Sequence, residues 1–296
     1  MKRWWIYQKE RFPLLAHGPL IAAFSACAVS FSSLLRGAPP PDAGMFLTAF
    51  VVCMLMFLQL RIADEFKDAE EDARWRPYRP VPRGLVTLPE LRRLFIMAGL
   101  LQSLLVVFLD PRLFIVLGIA WLYLGLMCVE FFARDWLKKR PVIYLLSHMG
   151  IMPLVDFFGT ACEWLPRNGT APAGLAWFLA ASFTNGIVIE IGRKLRQPAD
   201  EEEGVETYSR LWGKAGAAGV WAASLLATMV CAVMAGAAIG FSTPIAIALG
   251  GMLVVSFSML PAYIRGKLHG KGLETISGLW TLILYLMLGL VPLFTH

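Results

Sequence analysis

Residues 45–84 read MFLTAFVVCMLMFLQLRIADEFKDAEEDARWRPYRPVPRG. The run Met45–Leu60 carries no charge, and Arg61 then opens a stretch crowded with carboxylates. Asp64, Asp68 and Asp72 stand four residues apart. On a helix that spacing stacks three carboxylates along one face, about 6 Å from neighbour to neighbour. Stacked anions repel one another, so a shared cation relieves them. Hard oxygen ligands at the mouth of an apolar bundle suit Mg²⁺, which keeps some water and takes further ligands from phosphate. The stretch points to an enzyme acting on a phosphorylated compound at a membrane surface.

The rest of the chain agrees with a membrane setting. Of 296 residues, 57% are hydrophobic and 16% charged, which is too apolar for an ordinary soluble domain. Nine apolar stretches are long enough to span a bilayer: 14–35, 43–62, 91–109, 113–131, 142–161, 172–191, 215–239, 243–264 and 274–294. The expectation is an all-α membrane protein with nine transmembrane helices around a central cavity, forming a single domain over residues 1–296. Placing the N-terminus in the cytoplasm puts 24 of the 27 Lys and Arg residues on that side. Only Arg36, Arg112 and Arg167 remain outside, as the positive-inside rule requires. The protein is thus expected in the cell membrane, with its C-terminus on the opposite face.

The net charge of +6 follows from this loop bias and suits anionic headgroups, and nothing points to nucleic acid. Met1 to Arg11 is polar and basic, so no cleavable signal peptide is expected. Cys27, Cys53, Cys128, Cys162 and Cys231 show no paired spacing and read as apolar fillers.

Two long cytoplasmic segments, 62–90 and 192–213, hold most of the acidic residues and follow the second and sixth spans. Polar backbone at this depth must line a wet cavity or pack on protein, so the two loops are expected to cap one cavity. In the first, Pro77, Pro80 and Pro82 end the helix and are read as an extended strand. Such a strand turns Arg76 and Arg79 back toward a metal-bound diphosphate, alongside Lys67. In the second, Glu190 and Asp200 are candidate ligands for a further Mg²⁺, with Arg193 and Lys194 on the phosphates. A simple surface ion pair between Glu190 and Lys194 is the plainer alternative.

At these loops the chain resembles the UbiA-type intramembrane prenyltransferase superfamily. Asp68-x-x-x-Asp72 and Arg79-Pro80-Val81-Pro82-Arg83-Gly84 match its first motif. Asp200, Gly204, Thr207 and Gly213 keep the frame of its second. Lys139-Arg140 resembles a common basic pair. The chain departs where Arg61 to Asp64 lack the usual Asn-Asp start, where Arg196 replaces the first Asp of the second motif, and where Glu206 replaces a common Lys. The resemblance implies Mg²⁺-dependent transfer of an isoprenyl group from an isoprenyl diphosphate to an aromatic or lipid-like acceptor. It makes Asp68, Asp72 and Asp200 catalytic, with Asp64, Asp68, Asp72, Glu190 and Asp200 as metal ligands. Lys67, Arg76, Arg79, Lys139, Arg193 and Lys194 then bind the diphosphate.

Terpene cyclisation on the same scaffold is the alternative chemistry, and transport is a non-enzymatic one. A transporter predicts charges at the membrane centre, whereas here they gather in loops. Among the polar residues inside predicted spans, Glu130, His148, Asp156 and Asn185 are notable. An Asp at mid-span costs about 2.5–3.5 kcal/mol, so Asp156 needs a partner or a wet cavity. His148 and Asn185 are candidates for an acceptor pocket, against a plain helix-to-helix hydrogen bond.

Overall fold

Local chemistry sets where the helices start and stop. Pro39 to Pro41 close one helical run, and the Asp42 side chain then accepts a hydrogen bond from the Met45 amide, 3.0 Å away, to start the next. Thr87 and Glu90 form a reciprocal capping box at the head of another helix. Asp110-Pro111-Arg112 makes a tight turn held by the Arg112–Asp110 ion pair at 2.7 Å.

The structure, a computed structural model, describes residues 2–295. Its helices are α1 (Lys2–Arg11), α2 (Leu14–Leu35), α3 (Ala43–Lys67), α4 (Ala69–Trp75), α5 (Leu88–Leu109), α6 (Leu113–Cys128) and α7 (Arg134–Lys138). There follow α8 (Pro141–Met149), α9 (Ile151–Asn168), α10 (Leu175–Arg193), α11 (Tyr208–Ala238), α12 (Ser242–Ile264), α13 (Gly270–Tyr285) and α14 (Val291–Thr295). Among the described residues, eight segments are long and apolar enough to cross a membrane, with α8 and α9 counted together and Gly270–Thr295 as one. The remaining expected span, 113–131, is the shorter α6. Its 16 residues reach about 24 Å, less than the hydrocarbon core of about 30 Å. The expectation of nine full-length spans is therefore met by eight and one short helix. The chain stops being helical at Val129 because Glu130, Phe131 and Phe132 all adopt positive φ, between 49° and 57°.

Helix α2 runs through the middle of the bundle and packs on α3, α9 and α13. Small residues bring the backbones together: a Cβ on Gly159 of α9 would meet the Ala28 Cβ of α2 at 2.8 Å. Polar side chains in the interior pair across helices. Tyr285 Oη donates to Asp156 Oδ2 at 3.0 Å, and Ser32 Oγ donates to Glu163 Oε2 at 2.6 Å. Thr281 Oγ1 donates to Asn185 Oδ1 at 3.2 Å. At the end away from the acidic loops, the three exceptional arginines are tied down. Arg36 and Arg167 both approach Glu163, and Arg112 reaches the Leu165 carbonyl at 2.8 Å.

The two acidic loops meet. Tyr78 Oη donates to Glu202 Oε2 at 2.7 Å, and the Trp75 ring lies against Gly204. Gly204 sits at φ +73°, where an L side chain is strained, and a Cβ there would run into the indole. We expect Gly204→Ala to undock the second loop, because the strain adds to a clash with a large side chain. Limited proteolysis checks this: cleavage near residues 200–206 should rise at least about tenfold, the effect of roughly 1.4 kcal/mol. An unchanged cleavage rate would show that the loops are not clamped here.

Candidate active site

The converging loops enclose a cavity of about 1130 Å³ at the motif end of the bundle. Its deep wall is apolar, with Phe57, Leu60, Met127, Met149 and Met152. Phe57 lies ten residues before Lys67, about 15 Å further into the bundle along α3. The mouth is charged. Asp64, Lys67 and Asp68 come from α3 and its end, Arg76 and Arg79 from the first loop, and Glu190, Arg193 and Lys194 from α10. One cavity thus pairs a greasy channel with a polyionic rim.

The three aspartates diverge. Helix α3 ends at Lys67, and Asp68, at φ −92° and ψ 3°, bends the chain into α4. Asp64 and Asp68 keep facing the cavity, whereas Asp72 turns into the first loop and is only 2% exposed. There it takes Arg76 Nε at 3.0 Å and Arg79 Nη1 at 2.7 Å. This pairing curls the Arg-Pro segment into consecutive turns rather than the extended strand expected from its prolines. Arg79 N bonds the Arg76 carbonyl, and Leu85 N bonds that of Pro80. Proline supplies the φ near −65° that such turns use, so its stiffness serves a turn as well as a strand.

Asp68 carries the sharpest electrostatic signal. Among the described residues nothing donates a hydrogen bond or ion pair to its carboxylate. Burial first, then the neighbouring Asp64 and Asp72 anions, push it above the usual carboxylate range. Asp64 has only a distant partner, Arg61 at 3.7 Å. These two oxygen donors fit a hard divalent cation. Among the described residues no three acidic, His or Cys side chains converge to hold an ion unaided. That fits Mg²⁺, which binds through one or two carboxylates and completes its shell with water and phosphate oxygens.

The second loop contributes mostly positive charge. Glu190 faces the cavity but is already paired with Arg193 at 2.6 Å and Lys194 at 2.9 Å. Asp200 lies outside the cavity and bonds His269 Nδ1 at 3.0 Å. Lys139 is exposed away from the rim; its neighbour Lys138 lines the cavity and pairs with Glu71 at 2.7 Å. Asn185 is fully buried between α10 and α13 through Thr281, not in the cavity.

A further polar cluster lines the same cavity. His148 lines the cavity as expected of an acceptor-pocket residue, but it stands with Glu130, Tyr144 and Lys67. Lys67 Nζ reaches Glu130 Oε1 at 2.8 Å, Tyr144 Oη at 3.1 Å and His148 Nε2 at 3.3 Å. All three ammonium hydrogens are thereby engaged, so Lys67 is tethered to this cluster rather than free on the rim. Arg134, which the sequence reading did not single out, lines the cavity and makes no ion pair among the described residues. Tyr144 was equally overlooked, since a tyrosine at a helix start carries no signal without its neighbours in space.

Burial raises the Glu130 carboxyl, but its contacts with His148 and Lys67 outweigh it and hold the group down to about 2. A carboxylate depressed from its ordinary 4.5 stabilises the fold above that pH, and the contribution fades as pH falls toward 2. Glu130→Gln should therefore lower the melting temperature at neutral pH, with the gap to wild type closing between about 4.5 and 2. A gap independent of pH across that window would contradict the charged network.

Comparisons with known proteins point the same way. Residues 23–271 match the UbiA prenyltransferase family. A digeranylgeranylglyceryl phosphate synthase of Korarchaeum cryptofilum (strain OPF8) is 24% identical over 250 residues, covering 79% of this chain and 80% of that protein. The fold is shared with a UbiA homolog from Aeropyrum pernix K1 solved in its apo form. That match has a TM-score of 0.69 at 13% identity, over 91% of this chain and 96% of that one. A solved digeranylgeranylglyceryl phosphate synthase superposes with a TM-score of 0.60 at 18% identity over the full length of both chains. With a charged cavity closing one end of the bundle and a family match running through both of its loops, the chain belongs to the UbiA prenyltransferase family and is an intramembrane prenyltransferase.

Proposed function

We propose that this protein transfers an isoprenyl group from an isoprenyl diphosphate to a lipid-like acceptor, in a reaction that needs Mg²⁺, with the motif end facing the cytoplasm. The observation that carries this reading is the uncompensated Asp68 carboxylate beside Asp64, on the rim of a cavity whose floor is apolar. Asp64 and Asp68 would hold the ion. When bound, Mg²⁺ acts as a Lewis acid and stabilises negative charge on the leaving diphosphate.

The chain's own groups do the remainder. Arg76, Arg79, Arg134, Arg193 and Lys194 surround the rim and neutralise the phosphate oxygens left over. The wall from Met149 and Met152 to Phe57 takes the isoprenyl tail and keeps water from the cation formed when the diphosphate departs. The lipid-like acceptor is supported by the related digeranylgeranylglyceryl phosphate synthase, and the cytoplasmic orientation by the 24-to-3 division of basic residues.

The test is to incubate the purified protein in nanodiscs with labelled isoprenyl diphosphates of several chain lengths, with and without a membrane-lipid extract. The expected result is diphosphate release together with a new labelled lipid, both lost on chelating Mg²⁺. Labelled lipid formed equally in EDTA would refute the metal requirement. Diphosphate release with a cyclised hydrocarbon and no lipid product would refute the acceptor.

A further inference from the structure

The cluster around Lys67, Glu130, Tyr144 and His148 has a hydrogen-bond pattern that leaves room for one more proton. His148 Nδ1 lies 2.9 Å from the Tyr144 carbonyl oxygen. A carbonyl only accepts, so Nδ1 carries the hydrogen, and the neutral ring presents the Nε2 lone pair. Lys67 touches Nε2 at 3.3 Å, the longest of its three contacts and so the one a substrate group displaces most easily. Glu130 Oε1 is already occupied by Lys67 and by Tyr144 Oη at 3.1 Å. Glu130 Oε2 is buried without any hydrogen-bond donor, yet lies 3.2 Å from Nε2.

This arrangement is held at a cost. Glu130, Phe131 and Phe132 form three successive left-handed residues, none of them glycine. L side chains rarely adopt that region, because Cβ crowds the following carbonyl oxygen. The turn aims Glu130 at His148 and sets the Phe131 ring edge-on to the imidazole, 5.8 Å away. The Tyr144 ring stacks on the imidazole at 3.9 Å and 13°. The imidazole is thus fixed in plane and in tautomer at the cavity wall.

We infer that His148 accepts the proton of an acceptor hydroxyl during isoprenyl transfer, and that Glu130 receives the resulting imidazolium N–H. The inference rests on the transferase reading and narrows its acceptor to a lipid bearing a free hydroxyl. In the step, the C1–O bond to diphosphate breaks and its electron pair leaves with the diphosphate oxygen. A lone pair of the acceptor oxygen forms the new C–O bond. The acceptor O–H bond then breaks, its electrons stay on oxygen, and the proton passes to His148 Nε2. The products are an ether, diphosphate and an imidazolium that later returns its proton to water. His148 is the catalytic residue and Glu130 the positioning one.

The charged groups facing His148 are Lys67 from α3 and Glu130 from the turn after α6. Helices α7 and α10 also pack on α8: Lys138 is paired with Glu71, and Arg193 and Lys194 with Glu190, while Asp135 is exposed outside the cavity. Arg134 lines the cavity without touching the imidazole.

The test measures transfer from geranylgeranyl diphosphate to geranylgeranylglyceryl phosphate in nanodiscs, against pH, for wild type, His148→Gln, Glu130→Gln and Glu130→Asp. In wild type, kcat should rise with pH through one ionisation. His148→Gln should lower kcat by about 100-fold or more and erase that rise, while KM for the diphosphate moves by less than about threefold. Glu130→Gln should lower kcat and Glu130→Asp should restore most of it, because an anion and not side-chain volume receives the imidazolium N–H. Nitrogen-15 NMR of histidine-labelled protein without substrate should show His148 with its hydrogen on Nδ1. Transfer by His148→Gln with wild-type kcat and pH profile would overturn this inference alone, as would a hydrogen on Nε2 of the neutral ring. Wild-type protein that releases no diphosphate from the probe would overturn the transferase reading and this inference with it.

Discussion

Asp68→Asn should abolish Mg²⁺-dependent turnover while the protein still inserts and folds. The carboxylate is a half-buried anion on the rim with no bonding partner among the described residues, and its neighbours Asp64 and Asp72 are themselves negative. An amide of the same shape removes the charge that attracts the ion but relieves the repulsion within α3 and α4, so stability should hold or rise. Loss of a preorganised electrostatic contact at a transition state costs about 100- to 1,000-fold in rate. Turnover should fall by at least that much, and binding of Mn²⁺ in the presence of inorganic diphosphate, followed by electron paramagnetic resonance, should weaken in parallel. Asp200→Asn is the informative contrast. Its side chain pairs with the exposed His269 outside the cavity, so turnover should stay within about threefold of wild type. Equal losses in both variants would mean that the second loop brings Asp200 to the metal after all.

Asp72→Ala should produce the largest local loss of stability. Its buried carboxylate pairs with both Arg76 and Arg79, whose side chains are only 11% and 19% exposed. Removing the anion leaves two guanidinium groups facing each other in a partly desolvated site. Breaking a buried pair in this way costs about 3–5 kcal/mol. The damage is confined to the first loop, because the apolar bundle below it does not depend on these charges. Hydrogen exchange in residues 76–86 should therefore accelerate by about 100-fold or more while the global melting temperature changes little. Turnover should fall as well, since Arg76 and Arg79 leave the rim. The isosteric Asp72→Asn keeps the volume and two acceptor or donor positions, and should fall between the alanine variant and wild type. Wild-type exchange rates in the alanine variant would show that the loop is held by Tyr78–Glu202 and Trp75–Gly204 alone.

Much of the architecture was legible along the chain. The all-α membrane fold follows from runs of apolar residues, because backbone groups in hydrocarbon must be satisfied within a helix. The Asp68-to-Gly84 and Asp200-to-Gly213 patterns marked both loops, and their meeting is seen in the contacts of Tyr78 and Trp75 with Glu202 and Gly204. Glu130 was legible only as an oddity, a carboxylate inside a predicted span. No periodicity announces that three residues there adopt a left-handed turn and end α6 early. Spacing likewise placed Asp64, Asp68 and Asp72 on one face, but a single residue at the helix end bends Asp72 into the first loop.

Sequence alone determined which segments are buried in lipid and where ionic groups gather, because hydropathy and charge are summed locally along a helix. Tertiary structure decided which ionic groups face the cavity, which cancel in pairs, and which gather into one hydrogen-bonded cluster. Those choices depend on distances of a few ångströms between residues far apart in the chain, such as Lys67, Glu130 and His148. Electrostatic and hydrogen-bond energies change steeply over that range, whereas residue spacing along one helix carries no record of what another helix presents opposite it.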